Sequence, residues 1–211
     1  KRQAYDNNEG PNTGGMGAYS PMPWLPKKFV ADIQRTVAEP TIAELASRGT
    51  PFVGLLYCGL ILTDEGVKVI EFNARFGDPE TQVVLARLSS PLAPLLLAAA
   101  QGDLTQVAPP KFSKNVAITV VLASEGYPEN PRTGREINGL EALRTHKQVR
   151  VAHAGTGFDG TQLLATGGRV LSVVSTGKDF EQARERAYGA LDKITLEGSY
   201  YRRDIAQGVS G

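Results

Sequence analysis

Three patterns predict an α+β fold with two cores. An apolar run, 52–63, and a run rich in β-branched residues, 67–73, flank the turn Thr63-Asp64-Glu65-Gly66, which predicts an antiparallel hairpin. Apolar residues at helical spacing occupy 26–48, 81–88 and 92–101, which predicts helices flanking that sheet. After Lys114 the strand pattern restarts and ends in another amphipathic helix, which predicts a second, smaller α+β unit. The stretch 102–114, with Pro109-Pro110, reads as the linker, so the expected domains are 1–105 and 106–211.

Each element follows from local chemistry. Residues 1–23 hold Gly10, Pro11, Gly14, Gly15, Gly17, Pro21 and Pro23 and read as loop rather than helix or strand. Val30, Ile33, Val37, Ile42 and Leu45 keep a helical period, but Pro40 cannot donate an N–H, so two helices or a sharp kink near Glu39 are expected, ending at Gly49. The run 52–63 is apolar on both faces, which predicts a central strand. On the returning strand alternate side chains share a face, which groups Val67, Val69, Glu71 and Asn73. Strands are expected over 115–123, 149–153 and 169–175. Asp179 should then cap a helix reaching Ile194, with Phe180, Ala183, Ala187, Leu191 and Ile194 on its buried face.

Composition excludes several classes. With 23 basic and 22 acidic residues the formal charge is +1, and no dense Lys/Arg run is present, so nucleic acid and acidic membrane surfaces are not expected partners. The most apolar stretch, 90–100, contains Pro91 and Pro94 and is too short to span a bilayer. The single cysteine, Cys58, rules out an intrachain disulfide, reads as a buried structural thiol and fits a cytoplasmic location.

Chemistry concentrates in Glu71-Phe72-Asn73-Ala74-Arg75-Phe76-Gly77-Asp78-Pro79-Glu80-Thr81. Two oxygen donors about 7 Å apart along a strand suit a hard cation such as Mg²⁺, which takes one or two protein oxygens and leaves the rest to water and phosphate. Arg75 adds a guanidinium matched to phosphate or carboxylate. Asp78, Pro79 and Glu80 read as the N-cap, first position and first turn of the next helix. Upstream, Gly14, Gly15 and Gly17 could turn successive N–H groups toward an anion. Plainer readings stand beside these: an exposed strand end for Glu71 and Asn73, and a tight surface connection for the glycine run. His146 and His153 read as solvated or structural rather than catalytic.

The sequence from Glu71 through Gln82, with Gly10-Pro11-Asn12-Thr13-Gly14-Gly15-Met16-Gly17-Ala18-Tyr19-Ser20-Pro21, resembles the phosphoribosylamine-glycine ligase (glycinamide ribonucleotide synthetase) family. Phe52-Val53-Gly54-Leu55-Leu56-Tyr57, Val121 to Pro128 and His153-Ala154-Gly155-Thr156 extend the likeness across nearly the whole chain. The resemblance implies the C-terminal half of an ATP-grasp domain, with an antiparallel sheet and flanking helices, followed by a small α+β domain. It implies ATP-dependent ligation of glycine to 5-phosphoribosylamine, with ATP as co-substrate. It also implies Mg²⁺, with Mn²⁺ as a substitute, on Glu71 and Asn73, and Arg75 as a catalytic cation.

By the same resemblance the substrate side would comprise Asn12, Thr13, Gly14, Gly15, Met16, Gly17, Arg75, Gly77, Asp78, Pro79 and Glu80. Many ATP-grasp proteins carry a further carboxylate on the preceding strand, where this sequence has Cys58 and Gly59. The family pattern would place an N-terminal part of the same enzyme ahead of Lys1, so the expectation is a fragment with little or no activity alone. A ligase for another acid or amine, and a non-catalytic module that keeps the fold, are the rival readings.

Overall fold

The computed structural model describes residues 2–209. In chain order its strands are β1 (Gln3–Tyr5), β2 (Glu9–Asn12), β3 (Gly17–Ser20), β4 (Tyr57–Thr63), β5 (Gly66–Asn73), β6 (Val116–Ala123), β7 (Val149–His153), β8 (Thr156–Asp159), β9 (Gln162–Ala165) and β10 (Arg169–Gly177). Its α-helices are α1 (Phe29–Ile33), α2 (Glu39–Ser47), α3 (Glu80–Arg87), α4 (Ala93–Gln101) and α5 (Phe180–Leu191). Two compact units result. One holds the chain up to Pro23, Asp78–Arg87 and the chain from Ser113; the other holds Trp24–Gly77 and Leu88–Phe112. The units are interleaved along the sequence rather than divided at residue 105, because β3 and α3 are built into the same unit as the C-terminal residues.

That first unit is organised by an antiparallel sheet in the order β3-β6-β10-β7. Every residue of β6 is buried, as expected of a strand covered on both faces. Val116, Ile118, Val120 and Leu122 join the cluster formed with Phe180, Ala183, Ala187 and Leu191 of α5. Alternation sends the intervening Ala117, Thr119 and Val121 to the opposite face, where α3, which packs on β3, β6 and β10, brings the buried Val83. As the sequence predicts, Asp179 caps α5, its Oδ1 accepting from the Gln182 N–H at 2.8 Å.

The first 23 residues are not the plain loop expected of them. β1 pairs with β2, and Gly17–Ser20 pairs with β6 in register Gly17↔Val120 to Ser20↔Ala117. A Cβ on Gly17 would lie 2.7 Å from both the Thr119 carbonyl oxygen and Ile205 Cδ1, so only glycine lets β3 approach this closely. The N-terminal segment is also tied to the C-terminal one. Arg202, wholly buried, pairs with Asp204 at 2.6 Å and donates to the Gln3 carbonyl at 3.0 Å and to Asn8 Oδ1 at 3.1 Å. The pairing offsets part of the desolvation cost of this buried guanidinium, and removal of a partner would leave an uncompensated charge. Beside it the Tyr188 hydroxyl donates to the Arg202 carbonyl at 2.8 Å, and burial pushes its pKa up to about 12. The β8–β9 hairpin, turning at Gly160 with φ +74°, is a further element.

The other unit is thinner. Its strands are β4 and β5, paired only with each other, so the central strand expected over 52–63 is instead one half of a ribbon that starts at Tyr57. Among its described residues Ala98 is the one buried large or small hydrophobic side chain, while Ile61, Leu62, Val69, Ile70 and Phe72 are exposed. The helical path from Phe29 to Ser47 is continuous. A π turn at Gln34–Ala38 joins α1 to α2, and Pro40 sits in the first turn of α2. The missing N–H at Pro40 is thus absorbed by a widened turn instead of the expected break. α4 ends at Gly102, whose φ is +74°. No helix among the described residues is long and apolar enough to cross a membrane.

Candidate functional site

The ribbon sets the geometry of the acid and amide. Gly59 faces Glu71 and Tyr57 faces Asn73, yet the next residue after Gly59, Leu60, faces Val69. Ile70 therefore has no partner of its own and forms a β-bulge. Cross-strand partners share a face, so the bulge resets the alternation. Glu71 and Asn73 lie with Tyr57 and Gly59, whereas Val69 lies with Leu60 on the other side. The expected grouping of Val67 and Val69 with Glu71 and Asn73 is thus corrected, while the acid and amide do share one face.

The position below Glu71 is bare for a reason. A Cβ on Gly59 would stand 2.9 Å from Glu71 Cγ, so glycine leaves the space that this carboxylate arm occupies. Carboxylate and amide oxygens are hard donors suited to Mg²⁺. The described residues contain no group of three or more His, Cys, Asp or Glu placed to hold a metal, so these two oxygens are the donor set the ribbon offers. Behind them Cys58, opposite Phe72, is a free thiol whose pKa burial pushes up, in keeping with an inert structural cysteine. β5 stops at Asn73, and Arg75 Nη1 donates to the Phe76 carbonyl at 2.8 Å. The alternation that places Glu71 and Asn73 therefore does not extend to Arg75. Gly77, in the same unit, is buried.

The other predicted residues belong to the first unit, where Arg169 joins Gly14, Gly15 and Asp78. Its Nη1 donates to the carbonyls of Gly14 at 3.1 Å, Gly15 at 3.4 Å and Asp78 at 3.1 Å, and its Nη2 to Asp78 Oδ2 at 3.0 Å. Asp78 Oδ1 accepts from Gln82 Nε2 at 2.9 Å, so its carboxylate is engaged by side chains on both oxygens. Pro79 directly precedes α3 and Glu80 begins it. Pro79 lies against Gly15, where a Cβ would meet its Cδ at 2.5 Å.

This arrangement corrects the expected anion cradle. The Gly14 N–H donates to the Tyr127 hydroxyl at 3.0 Å and the Gly15 N–H to Thr13 Oγ1 at 3.0 Å. Both donors are spent inside the protein, and the carbonyls turn inward toward Arg169. Met16 is fully buried and its carbonyl accepts from Val121, so its side chain anchors the loop rather than meeting a ligand. Thr13 also donates to the Arg2 carbonyl at 2.6 Å, and Asn12 Oδ1 accepts from Gln3 Nε2 at 3.4 Å.

Arg169 was not among the residues expected from sequence, because its partners lie 91 and 155 positions away along the chain. The signal that could have found it is the arginine after Gly167-Gly168 at a strand start.

Comparison with known proteins agrees with these elements. Residues 1–81 match the family model described as phosphoribosylglycinamide synthetase, ATP-grasp (A) domain, and residues 117–208 match that of phosphoribosylglycinamide synthetase, C domain. A phosphoribosylamine–glycine ligase of Leifsonia xyli subsp. xyli is 59% identical over 207 residues, covering 97% of this chain and 50% of the relative. That of Streptomyces coelicolor is 55% identical over 212 residues, covering 100% and 51%. The crystal structure of a phosphoribosylamine–glycine ligase from Thermotoga maritima superposes with a TM-score of 0.83 at 34% identity, over 97% of this chain and 50% of that one. The chain spans about half the length of the curated relatives it matches.

Proposed function

The chain belongs to the phosphoribosylglycinamide synthetase family, and on that footing we propose that its residues serve the ATP-dependent ligation of glycine to 5-phosphoribosylamine in purine synthesis, with glycinamide ribonucleotide, ADP and phosphate as products. The observation that carries this reading is the shared face of Glu71 and Asn73.

A carboxylate is a poor electrophile because its leaving group would be an oxide. In the proposed sequence a carboxylate oxygen of glycine attacks the γ-phosphorus of ATP, ADP departs, and the acyl carbon then carries phosphate as its leaving group. The amine nitrogen of phosphoribosylamine attacks that carbon, phosphate leaves, and the nitrogen gives up a proton. The first step brings two anions together, so positive charge and positioning are what the protein must supply. Glu71 and Asn73 would hold Mg²⁺, or Mn²⁺ in its place; when bound, the ion offsets phosphate charge. Arg75 adds a guanidinium in the same segment. The loop Asn12–Gly17, with Asp78, Pro79 and Glu80, would border the substrate. Proton and phosphoryl transfers need no covalent bond to the enzyme. The cytoplasm is the proposed compartment, where a lone thiol such as Cys58 stays reduced.

The test is ADP release with glycine, phosphoribosylamine and Mg²⁺. It is run on the 211-residue chain alone and on the same chain joined to the portion of a relative that it does not match. Turnover is expected from the joined protein, and Glu71→Gln should lower kcat by about 10²-fold or more with circular dichroism unchanged. Full activity of Glu71→Gln, or a preference for other acids or amines in a substrate panel, would overturn the reading.

A further inference from the structure

We infer that Arg169 is an oxyanion-binding residue beside the glycine loop, receiving a phosphate monoester or carboxylate on the edge formed by its Nε–H and one Nη2–H. A guanidinium carries five N–H donors in a rigid plane. Nη1 has two, and it faces three carbonyl oxygens, of Gly14, Gly15 and Asp78. Nη2 has two, and one meets Asp78 Oδ2. Nε and the second Nη2 hydrogen have no acceptor among the described residues. Nη1 and Nη2 both donate to Asp78, which puts the engaged Nη2 hydrogen on the edge shared with Nη1; the other runs parallel to Nε–H, the arrangement that donates to two oxygens of one anion. The side chain is 23% exposed, so the edge is reachable while the plane is held fixed.

Gly14 supplies an independent observation. A Cβ there would lie 2.9 Å from Arg169 Cζ, 3.0 Å from Nη2 and 3.2 Å from Nε. Gly14 is not among the glycines with a left-handed backbone, so its conformation does not demand glycine. Clearance over the guanidinium does. The absent side chain keeps uncovered the same two nitrogens that retain free hydrogens.

The choice of probes rests on the proposed ligase reading; the edge itself does not. Calorimetric titration of the 211-residue chain with ribose 5-phosphate, and separately with glycine, distinguishes phosphate from carboxylate. Arg169→Lys keeps the charge and loses the parallel donors, and should weaken one of the two ligands at least about tenfold. Gly14→Ala places a methyl group over Nε and Nη2 and should weaken the same ligand. Tyr127→Phe frees the Gly14 N–H without touching the guanidinium, and should cost less than about threefold. Equal losses in Arg169→Lys and Tyr127→Phe would reduce Arg169 to a loop brace. Binding unchanged in both Arg169→Lys and Gly14→Ala, or absent from the unaltered chain, would overturn the inference. Failure of the ligase reading would show separately, as no ADP release in the joined protein while Arg169-dependent anion binding persists.

Discussion

At Gly15 the residue scale decides how the glycine loop is to be understood. Its φ is +116° and a Cβ would meet Pro79 at 2.5 Å, whereas Gly49, with φ +76°, has nothing within 4 Å of the same position. Gly49→Ala should therefore suffer only the left-handed backbone penalty, about 1–2 kcal/mol. Gly15→Ala should cost more, because the collision adds to the strain; urea midpoints of the two variants check the order. The glycines were legible as punctuation in the sequence, and Asp179 as a cap, because both depend on near neighbours. What Gly14 and Gly15 do with their N–H and carbonyl groups was not. The Gly15 N–H meets the nearby Thr13, but the Gly14 N–H and both carbonyls find Tyr127 and Arg169, more than a hundred residues on, and no local pattern reports such a partner.

Elements differ in how much holds them. β6 and β10 are almost wholly buried between α5 and α3, while β4 and β5 have open edges and exposed apolar side chains. A two-stranded ribbon is marginal by itself, so amides of β4 and β5 should exchange with deuterium faster than those of β6 and β10 at the same pH; equal protection would contradict this account of the packing. The hairpin was readable because an apolar run and a β-branched one bracket Asp64-Glu65-Gly66. The bulge was not, since Ile70 is an ordinary strand residue and only pairing register betrays it. The β8–β9 hairpin carried a usable signal in Asp159-Gly160, with Phe158 before it and Leu163-Leu164 after the turn. β3 was hidden by its own glycine, because tertiary pairing with β6 overrides a local loop preference.

For the whole molecule, composition fixed the class and the strand–helix order fixed the α+β architecture, but not the interleaving. Contact across distant segments defines the first unit: β3 is an edge of the sheet led by β6, Arg202 holds Gln3, and Arg169 holds Asp78. Such wiring makes the polypeptide tolerant of a break. A protease that nicks it within 103–111, where no helix or strand runs, would leave two pieces that should still travel as one particle in native size-exclusion chromatography and come apart only in denaturant. Either piece made by itself would be short of a neighbour: residues 106–211 would bare Ala117, Thr119 and Val121, and mixing the two should restore them to cover.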